Sequence, residues 1–196
     1  MKREIIPNEP MKRVFAAIDI SEEVREEIRN YVVDLRAGFD GVPVKWEKAE
    51  KLHITVKFAG LVDEEQLKAF REQIQKAAES VAPFQVKIAS TGAFVKRRGP
   101  SVLWLGTKVV SVGEDPFGSL AARLHENISK RPFRPHITIA RIKDPKKTKD
   151  LIERHLASDF ESTQFDLGEL VIYESVLLPT GSVYTKLGSF RLRGQA

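Results

Sequence analysis

Short apolar runs and longer amphipathic stretches alternate along this chain of 196 residues, and the two patterns predict different secondary structure. Short runs rich in β-branched and aromatic residues are typical of strands. Such runs occupy residues 13–20, 44–47, 51–60, 84–90, 102–106 and 134–143, and a closing pair of strands is expected around Thr180 and Gly181. These runs predict the strands of the fold.

Four other segments repeat their apolar residues at the spacing of one helix face. Ser21 is a suitable N-cap for the first helix, which we expect to end near Gly38. Asp63, with Gln66 three residues later, resembles a capping box at the start of the second. The third and fourth helices are expected at about 115–129 and 146–158, the fourth with an apolar stripe of Leu151, Ile152 and Leu156.

Helices and strands are interspersed without strict βαβ alternation, a pattern that predicts an α+β fold with mainly antiparallel sheet and helices on the outside. No linker or low-complexity segment divides the chain, so residues 1–196 are expected to form one domain. Residues 1–12 are polar and contain two prolines, which predicts a tail or an early strand. The segment GAFVKRRGPS, residues 92–101, is expected to be a basic loop.

Composition narrows the possible chemistry. The chain has no cysteine, which excludes disulfides, thiolate nucleophiles and thiolate metal sites and fits a cytoplasmic protein. It has no apolar run of about 18 residues, so no membrane partner is expected, and its first residues lack the apolar centre of a signal peptide. The net charge of +5 favours anionic partners such as nucleic acids, with surface solubility as the alternative explanation.

One polar pattern occurs twice among the predicted strands. The tripeptide His-Ile-Thr begins at His53 and again at His136, 83 residues later, in a chain with four histidines. Side chains two residues apart on a strand project from the same face. His53 with Thr55, and His136 with Thr138, would therefore each present an imidazole and a hydroxyl to one side of a sheet, with aliphatic residues on the other.

Two imidazoles facing one cleft suit general acid–base catalysis. The histidine reference pKa of about 6.5 allows one ring to be neutral while the other is protonated. Threonine hydroxyls can donate hydrogen bonds to phosphate oxygens. Such a set could hydrolyse a phosphodiester without a metal, one histidine taking a proton from water and the other donating one to the leaving oxygen. A single His-x-Thr is more often core packing, but its duplication favours catalysis.

A zinc site is less well supported by the same residues. Structural zinc takes about four protein ligands and catalytic zinc about three. The chain has no His-Glu-x-x-His and no acidic residue two positions from either motif histidine. The remaining histidines, His125 and His155, are interpreted as surface or boundary residues. We therefore predict no metal.

At this point several segments together resemble a known family, the RNA 2′,3′-cyclic phosphodiesterases of the 2H phosphoesterase superfamily, also called the 2′-5′ RNA ligase family. The paired HITV and HITI carry the resemblance. The segments RVFAAIDISEEVREEI, VKWEKAEKLHITVKFAG, VLWLG, RPFRPHITIAR and ESVLLPTGSVYTKLGSFRL extend it from Arg13 to Leu192. The resemblance implies a bilobal α+β fold in which two antiparallel sheets form a central cleft.

The resemblance also implies an activity, namely metal-independent and cofactor-free opening of terminal ribose 2′,3′-cyclic phosphates to 2′-phosphate ends. By position, His53 and His136 would be the acid–base pair, and Thr55 and Thr138 would bind the phosphate. The family mechanism gives water activation to His136 and protonation of the leaving O3′ to His53. The sequence alone leaves open which histidine is the acid.

Each motif histidine is followed five residues later by a further candidate. The resemblance implies that Arg141 contacts the phosphate or the base, with a surface ion pair as the alternative. Phe58 would stack on a nucleobase, with core packing as the alternative. Tyr184 is a candidate for the wall of the cleft.

The expected partner is RNA with a 2′,3′-cyclic phosphate end, with tRNA among the candidates, and we expect a monomer. Lys96, Arg97 and Arg98 would contact RNA phosphates beyond the cleaved end, or form a solvated loop. Three other functions stay open: 2′-5′ ligation of tRNA halves, an exonuclease that leaves cyclic ends, and an RNA-binding module without turnover.

Overall fold

The computed structural model describes residues 10–97, 99–110, 115–124 and 133–194. The strands in chain order are β1 Lys12–Asp19, β2 Val44–Trp46, β3 His53–Val62, β4 Phe84–Lys96, β5 Gly99–Val109, β6 His136–Ile142, β7 Phe165–Leu167, β8 Glu169–Leu178 and β9 Gly181–Arg191. The helices are α1 Glu22–Arg36, α2 Glu64–Glu79, α3 Pro116–Leu124 and α4 Lys149–Ala157, with a 3₁₀ turn at Ala49–Lys51.

The strands pair in the order β7-β4-β5-β6-β3-β1-β8-β9, with β2 beside β6, and every pairing is antiparallel. This confirms the predicted α+β class with mainly antiparallel sheet. The two expected sheets are joined into one nine-stranded sheet within the described residues. The junction between β3 and β6 is a single paired position, Ile54 opposite Ile137.

The first two helices begin as their caps predict. The Ser21 hydroxyl accepts a hydrogen bond from the Val24 N–H at 3.3 Å. At α2 the capping box is complete, because Asp63 accepts from the Gln66 N–H at 2.8 Å and the Gln66 side chain accepts from the Asp63 N–H at 3.0 Å. Each contact satisfies a backbone donor that has no partner within its own helix.

Helix α4 is rotated relative to its predicted stripe. Leu151 and Ile152 are buried as expected, but Leu156 is 49% exposed and His155 is fully buried. The interpretation of His155 as a surface or boundary residue was wrong. Its ring can be buried because both nitrogens are hydrogen-bonded, Nδ1 with the Tyr31 hydroxyl at 2.8 Å and Nε2 with the Gly92 carbonyl at 3.1 Å.

The third predicted helix is described over α3 only, where Phe117, Leu120 and Leu124 face the core. His125 and the expected continuation to residue 129 lie outside the described residues. The basic loop predicted at 92–101 is largely a hairpin, because β4 runs to Lys96 and β5 begins at Gly99. Gly99 has a φ of +113°, which an L-residue rarely adopts, and Arg98 is outside the described residues.

The core lies between the sheet and the helices. The aliphatic residues of the repeated motifs are at most 2% exposed, as the strand alternation predicts, and are Ile54, Val56, Ile137 and Ile139. Lys12 already belongs to β1, whereas residues 1–9 are outside the described part. In the described portion of the chain, no helix has the length and hydropathy that crossing a lipid bilayer requires.

Candidate active site

The two repeated motifs line one cleft of about 1360 Å³. Its wall contains His53, Thr55, His136 and Thr138 together. The register explains this convergence, because Ile54 faces Ile137 across antiparallel strands. On either side of that pair, each strand turns its histidine and threonine to the face away from the isoleucines, and all four side chains line the cleft. The fold therefore brings together the four predicted groups.

His53 has a defined tautomer. Its Nδ1 lies 2.7 Å from the Lys51 carbonyl oxygen, which can only accept, so Nδ1 carries the proton. In the neutral ring Nε2 then holds the lone pair and accepts from the Thr55 hydroxyl at 3.0 Å. Thus Nε2 is the nitrogen at which His53 can exchange a proton within the cleft.

His136 repeats the arrangement in the second motif. Its Nδ1 donates to the Arg134 carbonyl at 2.7 Å, again two residues earlier in the chain. The second motif therefore also holds its proton on Nδ1 and leaves Nε2 for exchange. The two motifs match in backbone contact as well as in sequence.

Both imidazoles are half-buried among aromatic rings, of which only Tyr184 was predicted from the sequence. His53 lies 5.0 Å from Phe15 and 5.6 Å from Tyr184, measured between ring centroids. His136 lies 4.7 Å from Phe94 and 6.3 Å from Trp104. Phe15, Phe94 and Trp104 come from β1, β4 and β5, so only the strand order could have indicated these three.

Burial lowers the pKa of both histidines, since it disfavours the charged ring. For His53, the Lys51 carbonyl and the charges of Asp19 and Glu47 oppose that lowering of the pKa. For His136, the Arg134 carbonyl opposes it while the Arg141 charge adds to it. The Arg25 charge adds to the lowering at His53, so two carboxylates and one guanidinium act on that ring, whereas one guanidinium acts on His136. The nearby charges therefore favour the protonated form more at His53 than at His136, while burial lowers the pKa of both.

Arg141 and Phe58 also line the cleft, as does Tyr184. The Arg141 Nε donates to a Glu47 carboxylate oxygen at 3.0 Å, and the Arg141 side chain is 58% exposed. The predicted alternative of an ion pair is thus observed, but it lies inside the cleft. Phe58 is 70% exposed, which is incompatible with core packing as its main role.

The cleft is electropositive. Its described lining residues include one carboxylate, that of Glu47, and six basic side chains. The six are Arg13, Lys45, Lys51, Lys57, Arg134 and Arg141. Such a lining attracts anionic ligands. Only Arg141 of these six was predicted from the sequence. Lys51 and Arg134 each stand two residues before a motif histidine, which is the signal that could have indicated them.

The predicted contact of the basic hairpin with RNA phosphates beyond the cleaved end stays a prediction. Lys96 and Arg97 are exposed at the β4–β5 hairpin and are not among the residues that line the cleft. In the part of the chain that the structure describes, no three His, Asp or Glu side chains are grouped as a metal site.

Comparison with known proteins identifies the family of this chain. The profile of the 2′-5′ RNA ligase superfamily matches residues 20–176. An RNA 2′,3′-cyclic phosphodiesterase of Methanocaldococcus jannaschii is 34% identical, covering 88% of this chain and 96% of its own. One of Thermotoga maritima is 30% identical, covering 93% and 96% respectively.

Solved structures show the same fold. A crystal structure of a phosphoesterase is 26% identical and superposes with a TM-score of 0.71, covering 95% of this chain and 100% of its own. Escherichia coli LigT complexed with ATP is 26% identical, with a TM-score of 0.70 and coverage of 95% and 99%. The paired His-Ile-Thr strands, the shared cleft and these matches place the chain in the 2′-5′ RNA ligase superfamily.

Proposed function

We propose that this protein hydrolyses ribose 2′,3′-cyclic phosphates at RNA ends. The observation that carries the proposal is the convergence of two histidines in the same tautomer, with two threonines, in one electropositive cleft. Relatives named RNA 2′,3′-cyclic phosphodiesterase, matched over most of the chain, support this choice of substrate.

In the proposed reaction, a water oxygen attacks phosphorus as His136 Nε2 takes the water proton. The bond from phosphorus to O3′ breaks, and His53 Nε2 donates its proton to that oxygen. The product carries a 2′-phosphate and a free 3′-hydroxyl. The pair then returns to its starting state when one proton passes from His136 to His53, directly or through solvent.

The surrounding charges support this division of roles. A general base must be neutral before the reaction, and burial, with the Arg141 charge adding to it, lowers the pKa of His136. A general acid must be protonated, and Asp19 and Glu47 oppose the lowering of the His53 pKa. Thr55 and Thr138 supply hydroxyls for the phosphate oxygens, and exposed Phe58 offers a face for a nucleobase.

The direct test is incubation with an oligoribonucleotide ending in a 2′,3′-cyclic phosphate, in EDTA, with the product ends resolved chromatographically. We expect conversion to a 2′-phosphate at a rate that EDTA leaves unchanged. A 3′-phosphate product would mean that the bond from phosphorus to O2′ breaks, so that O2′ and not O3′ is the leaving oxygen. Activity restored only by one divalent ion would contradict the metal-independent mechanism, and tight binding without conversion would favour an RNA-binding module.

A further inference from the structure

Glu47 is chemically out of place in a cleft that should receive a phosphate. It is the one carboxylate among the described lining residues, and its side chain is only 19% exposed. A carboxylate next to an anionic ligand repels it. The acid–base pair does not explain why a carboxylate lies in this cleft, so Glu47 is expected to have a separate role.

The position of Glu47 is held on two sides. Its backbone N–H donates to the Ile139 carbonyl at 2.9 Å, one residue after Thr138. Its carboxylate accepts from Arg141 Nε at 3.0 Å. The negative charge is thus held against Arg141 on β6, the strand that carries the second motif.

The charge of Glu47 also acts on the first motif. It opposes the lowering of the His53 pKa, and after burial it is the next contribution to the raised pKa of Tyr184. Both groups line the cleft with Glu47. A ligand bound between the motifs would therefore experience this charge together with those of the surrounding lysines and arginines.

Building on the proposed function, we infer that Glu47 makes the cleft selective for phosphodiester monoanions over phosphomonoester dianions. A cyclic phosphate diester carries one negative charge. Hydrolysis adds water to give a monoester, whose second ionisation near pH 6 leaves about −1.5 to −2 charges at neutral pH. Coulombic repulsion is proportional to ligand charge, so Glu47 penalises the product about twice as strongly as the substrate.

The substitution Glu47→Gln separates this role from the positioning of Arg141. The glutamine carbonyl oxygen can still accept from Arg141 Nε, whereas the negative charge is lost. The control is Glu50→Gln, which changes net charge equally. Glu50 is 67% exposed on the neighbouring 3₁₀ turn, pairs with Lys48 at 3.9 Å and is not among the cleft-lining residues.

Binding is measured by calorimetry at pH 7.5 with 3′-O-methyladenosine 2′-phosphate, which has the phosphate position of the proposed product, and with its methyl ester. Neither ligand can cyclise, because O3′ is methylated. Suppose that Glu47→Gln raises the affinity for the dianionic monoester on the order of tenfold. Because the monoanionic diester has half the charge, its change in binding free energy should be half as large, so its affinity should rise about threefold. Glu50→Gln should change both affinities less than about twofold, because exposed charges are screened.

A shift of equal size for both ligands, or weaker binding of both, would overturn the inference and leave Glu47 as a support for Arg141. Turnover of a cyclic-phosphate end is assayed separately. If the protein binds the diester selectively but does not turn over a cyclic-phosphate end, the proposed hydrolysis is refuted and the charge selectivity of Glu47 is retained. Turnover with an unchanged binding ratio in Glu47→Gln would refute the selectivity alone.

Discussion

His53 and His136 are related by more than their sequence motif, since each donates from Nδ1 to the carbonyl two residues before it. That contact fixes both tautomers before any ligand binds, so proton transfer requires no rearrangement of the rings. Thr55 differs from Thr138 in already bonding to its own histidine, at 3.0 Å. The Thr55 hydroxyl therefore has to leave His53 Nε2 before it can donate to a phosphate oxygen.

Alanine at either histidine should lower kcat/KM by about 10²- to 10⁴-fold, the usual contribution of a general acid or base. The double variant should lose little more than the worse single one, because groups that act as a unit are strongly non-additive. Thr55→Ala and Thr138→Ala should cost less, since each removes a hydrogen bond rather than a proton transfer. Single-turnover rates on a cyclic-phosphate end give the comparison.

Circular dichroism is the necessary control for the four single variants. All should remain folded, because the isoleucines on the opposite face hold β3 and β6 in the core. A folded and fully active His136→Ala protein would exclude the proposed mechanism. Unfolding of all four variants would instead indicate that the motif serves packing.

Strands β4 and β5 form the wall behind His136, and their packing depends on one glycine. Gly92 pairs with Trp104, whose indole lies across it and packs against His136. A Cβ added at Gly92 would lie 2.1 Å from the Trp104 ring. The Gly92 carbonyl also accepts from buried His155, so this position connects α4 to the wall of the site.

Gly92→Ala should destabilise the protein by about 1–3 kcal/mol, the usual cost of overpacking a well-packed site. Urea unfolding measures the change. Gly168→Ala is the matched control, since an added Cβ there meets nothing within 4 Å, and its effect should stay within about 0.5 kcal/mol. The folded Gly92→Ala fraction should also turn over more slowly, because a displaced Trp104 shifts His136. Equal stability of the two variants would contradict the observed contact.

For the whole molecule, the three described histidines all have a pKa below the usual value, because each is partly or fully buried. In the unfolded chain each has a pKa of about 6.5. Below about pH 6.5 these three histidines bind more protons in the unfolded state than in the folded state. They should therefore lower the free energy of unfolding as pH falls from about 6.5 through their pKa values in the folded protein.

Replacing fully buried His155 with glutamine tests its share of this acid sensitivity. His155→Gln should be less stable than the parent at pH 8, by about 1–3 kcal/mol, since the bonds to Tyr31 and Gly92 are disturbed. Between pH 6.5 and 5 its stability should fall less steeply than that of the parent. Urea unfolding at pH 5, 6.5 and 8 gives both slopes, and identical slopes would exclude a contribution from His155.

The sequence by itself determined what depends on near neighbours in the chain. The caps at Ser21 and Asp63 form within one helical turn, and strand alternation alone places His53 with Thr55 on one face. The duplication of the motif then identified the candidate chemistry. These features could be predicted because hydrogen bonds and side-chain direction at this range follow from backbone geometry.

Only the tertiary structure decided what surrounds those groups. Segments far apart in the sequence meet where Ile54 pairs with Ile137 and where Phe94 and Trp104 pack beside His136. The ion pair of Glu47 with Arg141 is a further contact of this kind. The burial of His155 likewise depends on Tyr31, 124 residues away. No local pattern encodes such contacts, because they arise from packing between elements. That packing tunes the pKa of His53, His136 and His155 and sets the charge of the cleft.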